Sequence, residues 1–276
     1  MRRGIKQFSI EFFAVTASVV LFWVPLYFVI VNALKDPKEA SLLNMNWPSK
    51  IHLWSNFKEV IEARDYMLIR AFYNSSVMTV VSIVFLVIIC AMAGFVMQRR
   101  NDRFAPIISL IVLSGLIIPP AIVPTVWVLD SIGLFKTMTG IIAVEIALGF
   151  PFCVILYRGF IGGIPREIDE AAVIDGCGKY RLFMQIIFPL LKPVSATIII
   201  TQSVFIFNDF TNPLYFFPGS DNATVQLTLY NFTSQFVSQW NLLFMNILII
   251  TVPMLLLFVI FNKKIVAGMT AGSVKG

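Results

Sequence analysis

Long apolar runs separated by short polar stretches dominate the chain: residues 12–32, 74–97, 105–128, 139–160, 194–215 and 240–261. Each is close to the roughly 20 residues a helix needs to cross the hydrocarbon core of a bilayer. The runs are continuous. A transmembrane β-barrel strand would instead alternate apolar and polar residues over about 10 positions, so a barrel is excluded. Backbone donors and acceptors must be satisfied within lipid, so the runs are expected to be helices. The pattern therefore predicts an all-α integral membrane protein with six transmembrane helices. The first run follows Arg2, Arg3 and Lys6 as a signal peptide would. It is longer than a signal peptide core, however, and NALKDPKEA behind it makes a poor cleavage site, so it reads as an uncleaved span.

Composition agrees. The 276 residues are 58% hydrophobic and 13% charged, against about 25% charged in a soluble domain. The net charge of +6 would suit a nucleic-acid partner, but its placement explains it otherwise. Of the 21 Lys and Arg residues, fourteen fall on the side that holds both termini and seven on the other. The positive-inside rule then puts both termini in the cytoplasm. The first outer loop is the least decisive part of that pattern, because Asp36, Glu39, Glu59, Glu62 and Asp65 oppose its basic residues. With the basic surplus assigned to topology, the expected surroundings are a lipid bilayer and no nucleic acid. Cys90, Cys153 and Cys177 are odd in number and show no metal-ligand spacing, so neither a disulfide framework nor a metal site is expected. The single histidine, His52, lies in a polar loop.

The largest cytoplasmic loop, about 162–192, is charged and glycine-broken, and from Pro165 it reads PREIDEAAVIDGCGKYRLFMQIIFPLLKP. Pro165 suits a first helical position, and Glu167 and Asp169 suit the positive end of a helix dipole. Ile168, Ala171 and Ala172 fall on one face at helical spacing. Gly176 and Gly178 break that helix. A second amphipathic helix then places Tyr180, Phe183, Met184 and Ile187 on one side, and Pro189 and Pro193 end it. This is a helix–turn–helix outside the bilayer. It either rests on lipid or receives a partner protein.

The spaced residues Glu170, Ala171, Ala172, Asp175, Gly176, Phe183, Ile187, Pro189 and Pro193 resemble the EAA motif of ABC importer permeases. Cys177 stands where Ala is usual, and Phe188 where Leu usually precedes the proline. The resemblance implies that the loop is a coupling helix seated in a cleft of a cytoplasmic ATPase, with Glu170, Ala171, Ala172, Asp175, Gly176, Cys177, Phe183 and Pro189 as the coupling residues. It implies no catalytic residues and no cofactor in this chain, with ATP and Mg held by the partner ATPase. In keeping with that, no G-x-x-x-x-G-K-[ST] phosphate loop occurs.

The tail 262–276 is too small and polar for a seventh span. It either frays or follows the ending of the sugar-type, maltose-permease-like group, which its GMTAGSVKG is similar to. That likeness implies contacts from Met269, Thr270, Gly272 and Lys275 to the ATPase dimer. WPSKIHLWSNFKEV resembles the segment those permeases carry after their first span, and Asn208 and Pro213 resemble a polar break in their fifth. The chain would then be one ABC importer transmembrane domain, 1–276, forming half of a pore that works by alternating access. Its partners would be a homologous second permease, an ATPase dimer, an extracellular solute-binding protein and a sugar or oligosaccharide. Its location would be a prokaryotic plasma (inner) membrane. An ion-coupled secondary transporter is the competing reading.

Two features inside the spans bear on transport. Pro119, Pro120 and Pro124 either kink the third span toward a cavity or end it near Ile118 in a re-entrant connection. Glu145, Asn208 and Asp209 are candidates for the translocation path, because intramembrane acids are costly and tend to mark function. Glu145 lies near the outer end of its span, where hydration at the interface is the alternative.

Overall fold

Helices account for all regular structure in the computed structural model, which describes residues 2–232 and 239–271. In chain order they are α1 (Arg2–Ala33), α2 (Pro37–Ser41), α3 (Leu53–Arg99), α4 (Ala105–Ile117), α5 (Ile122–Ser131), α6 (Met138–Ile161) and α7 (Glu167–Ile174). There follow α8 (Lys179–Leu190), α9 (Lys192–Phe207), α10 (Thr211–Phe216) and α11 (Trp240–Ala271), with a 3₁₀ turn at Leu227–Phe232. Contacts divide the chain into two units: Met1–Ile69 with Gln226–Pro253, and Arg70–Val225 with Met254–Gly276.

The six expected runs take different helical forms. Among the described residues, Ile10–Ala33, Leu53–Arg99 and Met138–Ile161 are each long and apolar enough to cross a membrane alone. Two further candidates are bent pairs: Ala105–Ile117 with Ile122–Ser131, at 113°, and Lys179–Leu190 with Lys192–Phe207, at 72°. The fifth run breaks at Asn208–Phe210 instead of continuing to 215. The sixth run lies within one helix, Trp240–Ala271, which continues through much of the segment expected as a tail.

In the first unit, α1 presents an almost wholly outward-facing apolar surface, with 6% of its apolar window buried. Such a face is tolerated only against lipid or another protein. Its last turn is finished by a polar cluster. Asn56 Nδ2 donates to the carbonyls of Ala33 (2.8 Å) and Lys35 (2.9 Å), which the helix itself leaves without partners. Asn241 Nδ2 donates to Asn56 Oδ1 at 3.1 Å. The Lys35 ammonium is 2% exposed and donates to Asn32 Oδ1 and to both oxygens of Asn44. Burial lowers its pKa and the Glu39 charge opposes that shift. The asparagine of the WPSKIHLWSNFKEV segment thus has a structural task. Within α3, Ala63–Tyr66 leave the helical region, and Arg64, Asp65 and Tyr66 have φ of 49°, 55° and 56°.

The second unit is organised around α6. Paired neighbours give the helix directions. Against α3, a Cβ on Gly149 would lie 3.1 Å from Leu86, and one on Gly94 would lie 2.8 Å from Tyr157 Cβ, so α3 and α6 run parallel. Against α4, a Cβ on Gly115 would meet Pro151 at 2.7 Å, while Arg158 reaches Ser109, so α4 is antiparallel to α6. Tyr157 hydroxyl pairs with Ser195 at 2.8 Å and Asn212 with Glu145, so the chain from α9 to α10 also runs antiparallel to it. Apolar helices gain little from burial when lipid is the alternative, and close contact through small residues holds them together instead. The third run is two helices bent by 113°, a broken span or a re-entrant loop. The chain leaves α3 at one end of this bundle and enters α6 at the other, and α4 and α5 make the connection in two pieces. The break at Ile118–Ala121 falls on Pro119 and Pro120, which lack amide donors.

Candidate functional site

The α7–α8 module is built as the glycine pattern requires. The α7 helix starts at Glu167, two residues later than Pro165 suggested, and carries Glu167, Asp169 and Glu170 in its first turn. It ends at Ile174 with Asp175 as its C-cap, and Gly176 follows at φ +79°, a conformation that costs an L-residue roughly 1–2 kcal/mol. The α8 helix contains a π-helical stretch, Leu182–Ile187. Pro189 therefore does not end α8. The widened turn before it changes the hydrogen-bond pattern, so its missing N–H is accommodated inside the helix. Pro193 lies in the first turn of α9.

Two faces of the module differ. Inward, Ala172, Leu182, Phe183 and Ile187 are buried. The Phe183 ring packs at a tilt, 5.5 Å from that of Phe95 of α3 and 5.9 Å from that of Phe188. Outward, Val173, Ile174 and Tyr180 are 60%, 85% and 72% exposed around the Gly176 turn. Ala171 and Tyr180 thus sit on the outer face, not with Ala172 and Phe183 as the helical pattern suggested. Of the eight motif residues expected at the ATPase, Glu170, Ala171, Asp175, Gly176 and Pro189 are exposed, Cys177 is half-buried, and Ala172 and Phe183 are buried. The last two anchor the module and offer no surface to a partner.

The module is tied to the end of α3 by residues the sequence pattern did not single out. Arg99 Nε lies 2.6 Å from Asp169 Oδ2, and both side chains are largely covered, at 14% and 16% exposure. Arg99 Nη2 also donates to Ile164 O at 3.1 Å and Asp169 Oδ1 at 3.3 Å. Arg166 Nη2 donates to Gln98 O at 3.4 Å. In the sequence these arginines register only as basic charges that orient the chain. The signal that could have found the clamp is an arginine closing a span beside a loop with an acid-rich first helical turn.

Glu145 and Asp209 come together. Glu145 is 6% exposed, and its Oε1 accepts from Asn212 Nδ2 at 3.2 Å. The Asp209 carboxyl neighbours Glu145, and its Oδ1 accepts the N–H groups of Thr211 (2.8 Å) and Asn212 (3.2 Å). Asn208 Nδ2 donates to Val204 O of its own helix. Asn212, not foreseen, completes the cluster, in which Glu145 is buried and Asp209 and Asn212 are half-buried. Met269 and Thr270 lie on the α11 backbone with no side-chain description, and Gly272 and Lys275 lie outside the described residues. Among the described residues, no group of three His, Cys, Asp or Glu side chains converges on a metal position.

Comparison with known proteins gives the family. Residues 87–270 match the family described as binding-protein-dependent transport system inner membrane component. The chain is 30% identical to the probable starch degradation products transport system permease protein AmyC of Thermoanaerobacterium thermosulfurigenes, over 98% of each chain. It is 31% identical to the melibiose/raffinose/stachyose import permease protein MelC of Bacillus subtilis, over 99% of this chain and 100% of that one. In fold it matches a chain in the crystal structure of a bacterial ABC transporter that imports the acidic polysaccharide alginate, with a TM-score of 0.81 at 16% identity, covering 95% of this chain and 98% of that one. The chain belongs to the family of binding-protein-dependent transport inner membrane components.

Proposed function

We propose that this member of the binding-protein-dependent transport family is the permease half-pore of an ABC importer for a sugar or oligosaccharide. The observation that carries the reading is the outward tip of the α7–α8 module: Val173, Ile174 and Tyr180 stand exposed around Gly176, on a base held by the Arg99–Asp169 pair. An apolar tip on a fixed base is a surface made to be covered by a protein. In this reading an ATPase dimer covers it, and Glu170 and Asp175 on the same exposed face orient the contact. The chain does no bond chemistry. ATP and Mg belong to the ATPase.

The saccharide substrate is supported by the full-length likeness to permeases named for starch products and for melibiose, raffinose and stachyose. The family description includes dependence on a binding protein, which in this reading delivers the substrate, and a homologous second permease completes the pore. Six crossings with both termini in the cytoplasm are supported by the parallel α3 and α6, the antiparallel α4 between them, and the distribution of Lys and Arg. In that topology the whole chain is one transmembrane domain in a prokaryotic inner membrane. The α7–α8 tip faces the cytoplasm, and residues 262–276 lie on the same side, where Met269, Thr270, Gly272 and Lys275 reach the ATPase. Glu145, Asp209 and Asn212 offer hydrogen-bond partners along the path, with Asn208 next to them in sequence. Ion-coupled transport has no observation in its favour once the family is assigned.

The test is purification of the tagged chain from membranes in mild detergent, wild type beside Glu170→Lys, with mass spectrometry of what accompanies it. An ATPase that comes with wild type and is lost from the variant supports the reading. An ATPase absent from both, under conditions that preserve complexes, refutes it.

A further inference from the structure

Three adjoining cavities lie where the Arg99 end of α3, the Ala105 end of α4 and the Ile161 end of α6 meet, and Met97 forms a wall of all three. Close by, α4 and α6 touch at Gly115 and Pro151. Toward their other ends the helices leave space between them. The three cavities differ in chemistry. The largest, about 520 Å³, is lined by Arg100, Arg158, Arg166, Asn101 and Asp102 among others. The other two, about 320 and 310 Å³, are walled mainly by apolar side chains such as Val96, Ile108 and Phe150, and Val112, Leu113 and Ile155.

The charges in the polar cavity do not balance. Asp102 is its acid, and it pairs with Arg100. Arg158, half-buried near the end of α6, donates to two neutral oxygens, Gln98 Oε1 at 3.3 Å and Ser109 Oγ at 2.8 Å. Arg166 donates to the carbonyl of Gln98. Among the described residues, neither Arg158 nor Arg166 has a carboxylate within ion-pairing distance. Two guanidinium groups thus face one cavity without a counter-ion, at the end of an apolar helix bundle. Guanidinium forks suit phosphate oxygens. A soluble phosphate would fill the polar cavity and leave the two apolar ones unused. An amphiphile uses all three.

We propose that this cleft is a binding site for an anionic phospholipid, with its phosphate between Arg158 and Arg166 and an acyl chain along the apolar cavities toward α4. The lipid reaches it from the bilayer side: α4 has no buried residue, and Ile107, Leu110 and Ile111 face outward on it. Basic pockets between spans on the cytoplasmic side are suited to anionic headgroups. The site rests on the membrane placement of the chain and not on the saccharide or the ATPase. Arg166 also stands next to Glu167, the first residue of α7, so a lipid held there would sit against the base of the α7–α8 module.

The test uses the assembled transporter, delipidated in detergent, with dioleoylphosphatidylglycerol, dioleoylphosphatidylcholine or inorganic phosphate added. Native mass spectrometry and thermal melting are the readouts, without ATP or saccharide, and the same additions to the purified chain alone keep failure of this site distinguishable from failure of the importer reading. Phosphatidylglycerol is expected to be retained and to raise the melting temperature, while phosphatidylcholine and phosphate do neither. Arg158→Gln and Arg166→Gln should each weaken phosphatidylglycerol about fivefold, the loss of one surface cation. Arg166 is exposed, so its variant reports binding even if loss of the Arg158 hydrogen bonds impairs folding. Equal retention of both lipids overturns the proposal. So does stabilisation by phosphate as strong as by phosphatidylglycerol, which would make the site one for a soluble anion. Binding to the chain alone but not to the assembly also overturns it, because the cleft would then be a protein interface.

Discussion

Replacing Asp169 with alanine should loosen the α7–α8 module from the end of α3, and the size of the effect follows from how covered the pair is. A fully exposed ion pair contributes about 0–1 kcal/mol, and removing one partner of a buried pair costs about 3–5 kcal/mol. Arg99 and Asp169 keep 14% and 16% of their side-chain surface in contact with solvent. Their contacts include the 2.6 Å approach and two charge-assisted donations from Arg99 Nη2. A loss of about 2 kcal/mol lies between the two limits and multiplies the undocked population about thirtyfold. Hydrogen exchange of amides 167–178, followed by mass spectrometry on the purified chain, reads that population directly. Asp169 also favours the α7 dipole, an effect of about 0.3–1 kcal/mol. Glu167→Ala removes a first-turn charge of the same kind without touching Arg99, and should raise exchange only a few-fold. Arg99→Ala should match Asp169→Ala, and the double variant should be little worse than either single one. If Glu167→Ala and Asp169→Ala accelerate exchange alike, the clamp adds nothing beyond the dipole and the reasoning fails.

Gly176→Val places a β-branched residue at φ +79°. No neighbour lies within 4 Å of its Cβ, so the cost is backbone strain of roughly 1–2 kcal/mol. The protein should insert normally while uptake in reconstituted vesicles falls and ATP hydrolysis continues; full uptake would count against a rigid turn at the tip. Asn56→Ala leaves the carbonyls of Ala33 and Lys35 without their donor, at about 1–3 kcal/mol for each. Thermal melting should fall by several degrees, and Asn56→Asp, which also cannot donate, should do no better. Asp36 caps α2 by accepting from the Glu39 N–H at 2.8 Å, and that bond holds its carboxyl below the ordinary aspartate range. Its contribution is therefore complete above the unfolded value of about 4 and is lost as pH falls through the lower folded value. Exchange at 37–42 should rise on acidification through that window in wild type and stay flat in Asp36→Asn.

Much of the architecture was legible because it depends on local rules. The apolar runs located the helices, Pro119 and Pro120 located the break in the third run, and the glycines after Asp175 located the turn of the module. What stayed hidden depends on distant pairings. Arg99 and Asp169 are seventy positions apart, and nothing in either local sequence links them. Asn56 was part of a recognised segment, but its role in closing α1 needs the carbonyls of Ala33 and Lys35 beside it. Helical spacing put Ala171 with Ala172 and Tyr180 with Phe183, yet spacing assigns a face without saying where it ends. The π stretch at Leu182–Ile187 shifts the register of α8 in a way no 3.6-residue pattern anticipates. Asn212 passed unremarked inside the fifth apolar run, and only the break after Phe207 brings it to Glu145.

The clamp on α7 also has a mechanical meaning. A joint closed by a short ion pair, hydrogen bonds to backbone carbonyls and the Phe95–Phe183 ring contact has little free play. A displacement applied at the Gly176 tip reaches the foot of α3 almost undiminished, because α7 has no slack in which to absorb it. From there the α3–α6 contacts at Gly94 and Gly149 hold the two helices as one strut. The nearest compliant joints along the chain are the breaks after Ile117 and after Phe207. Load entering at the tip would concentrate its bending at those two places, and the second of them carries Asp209 against Glu145.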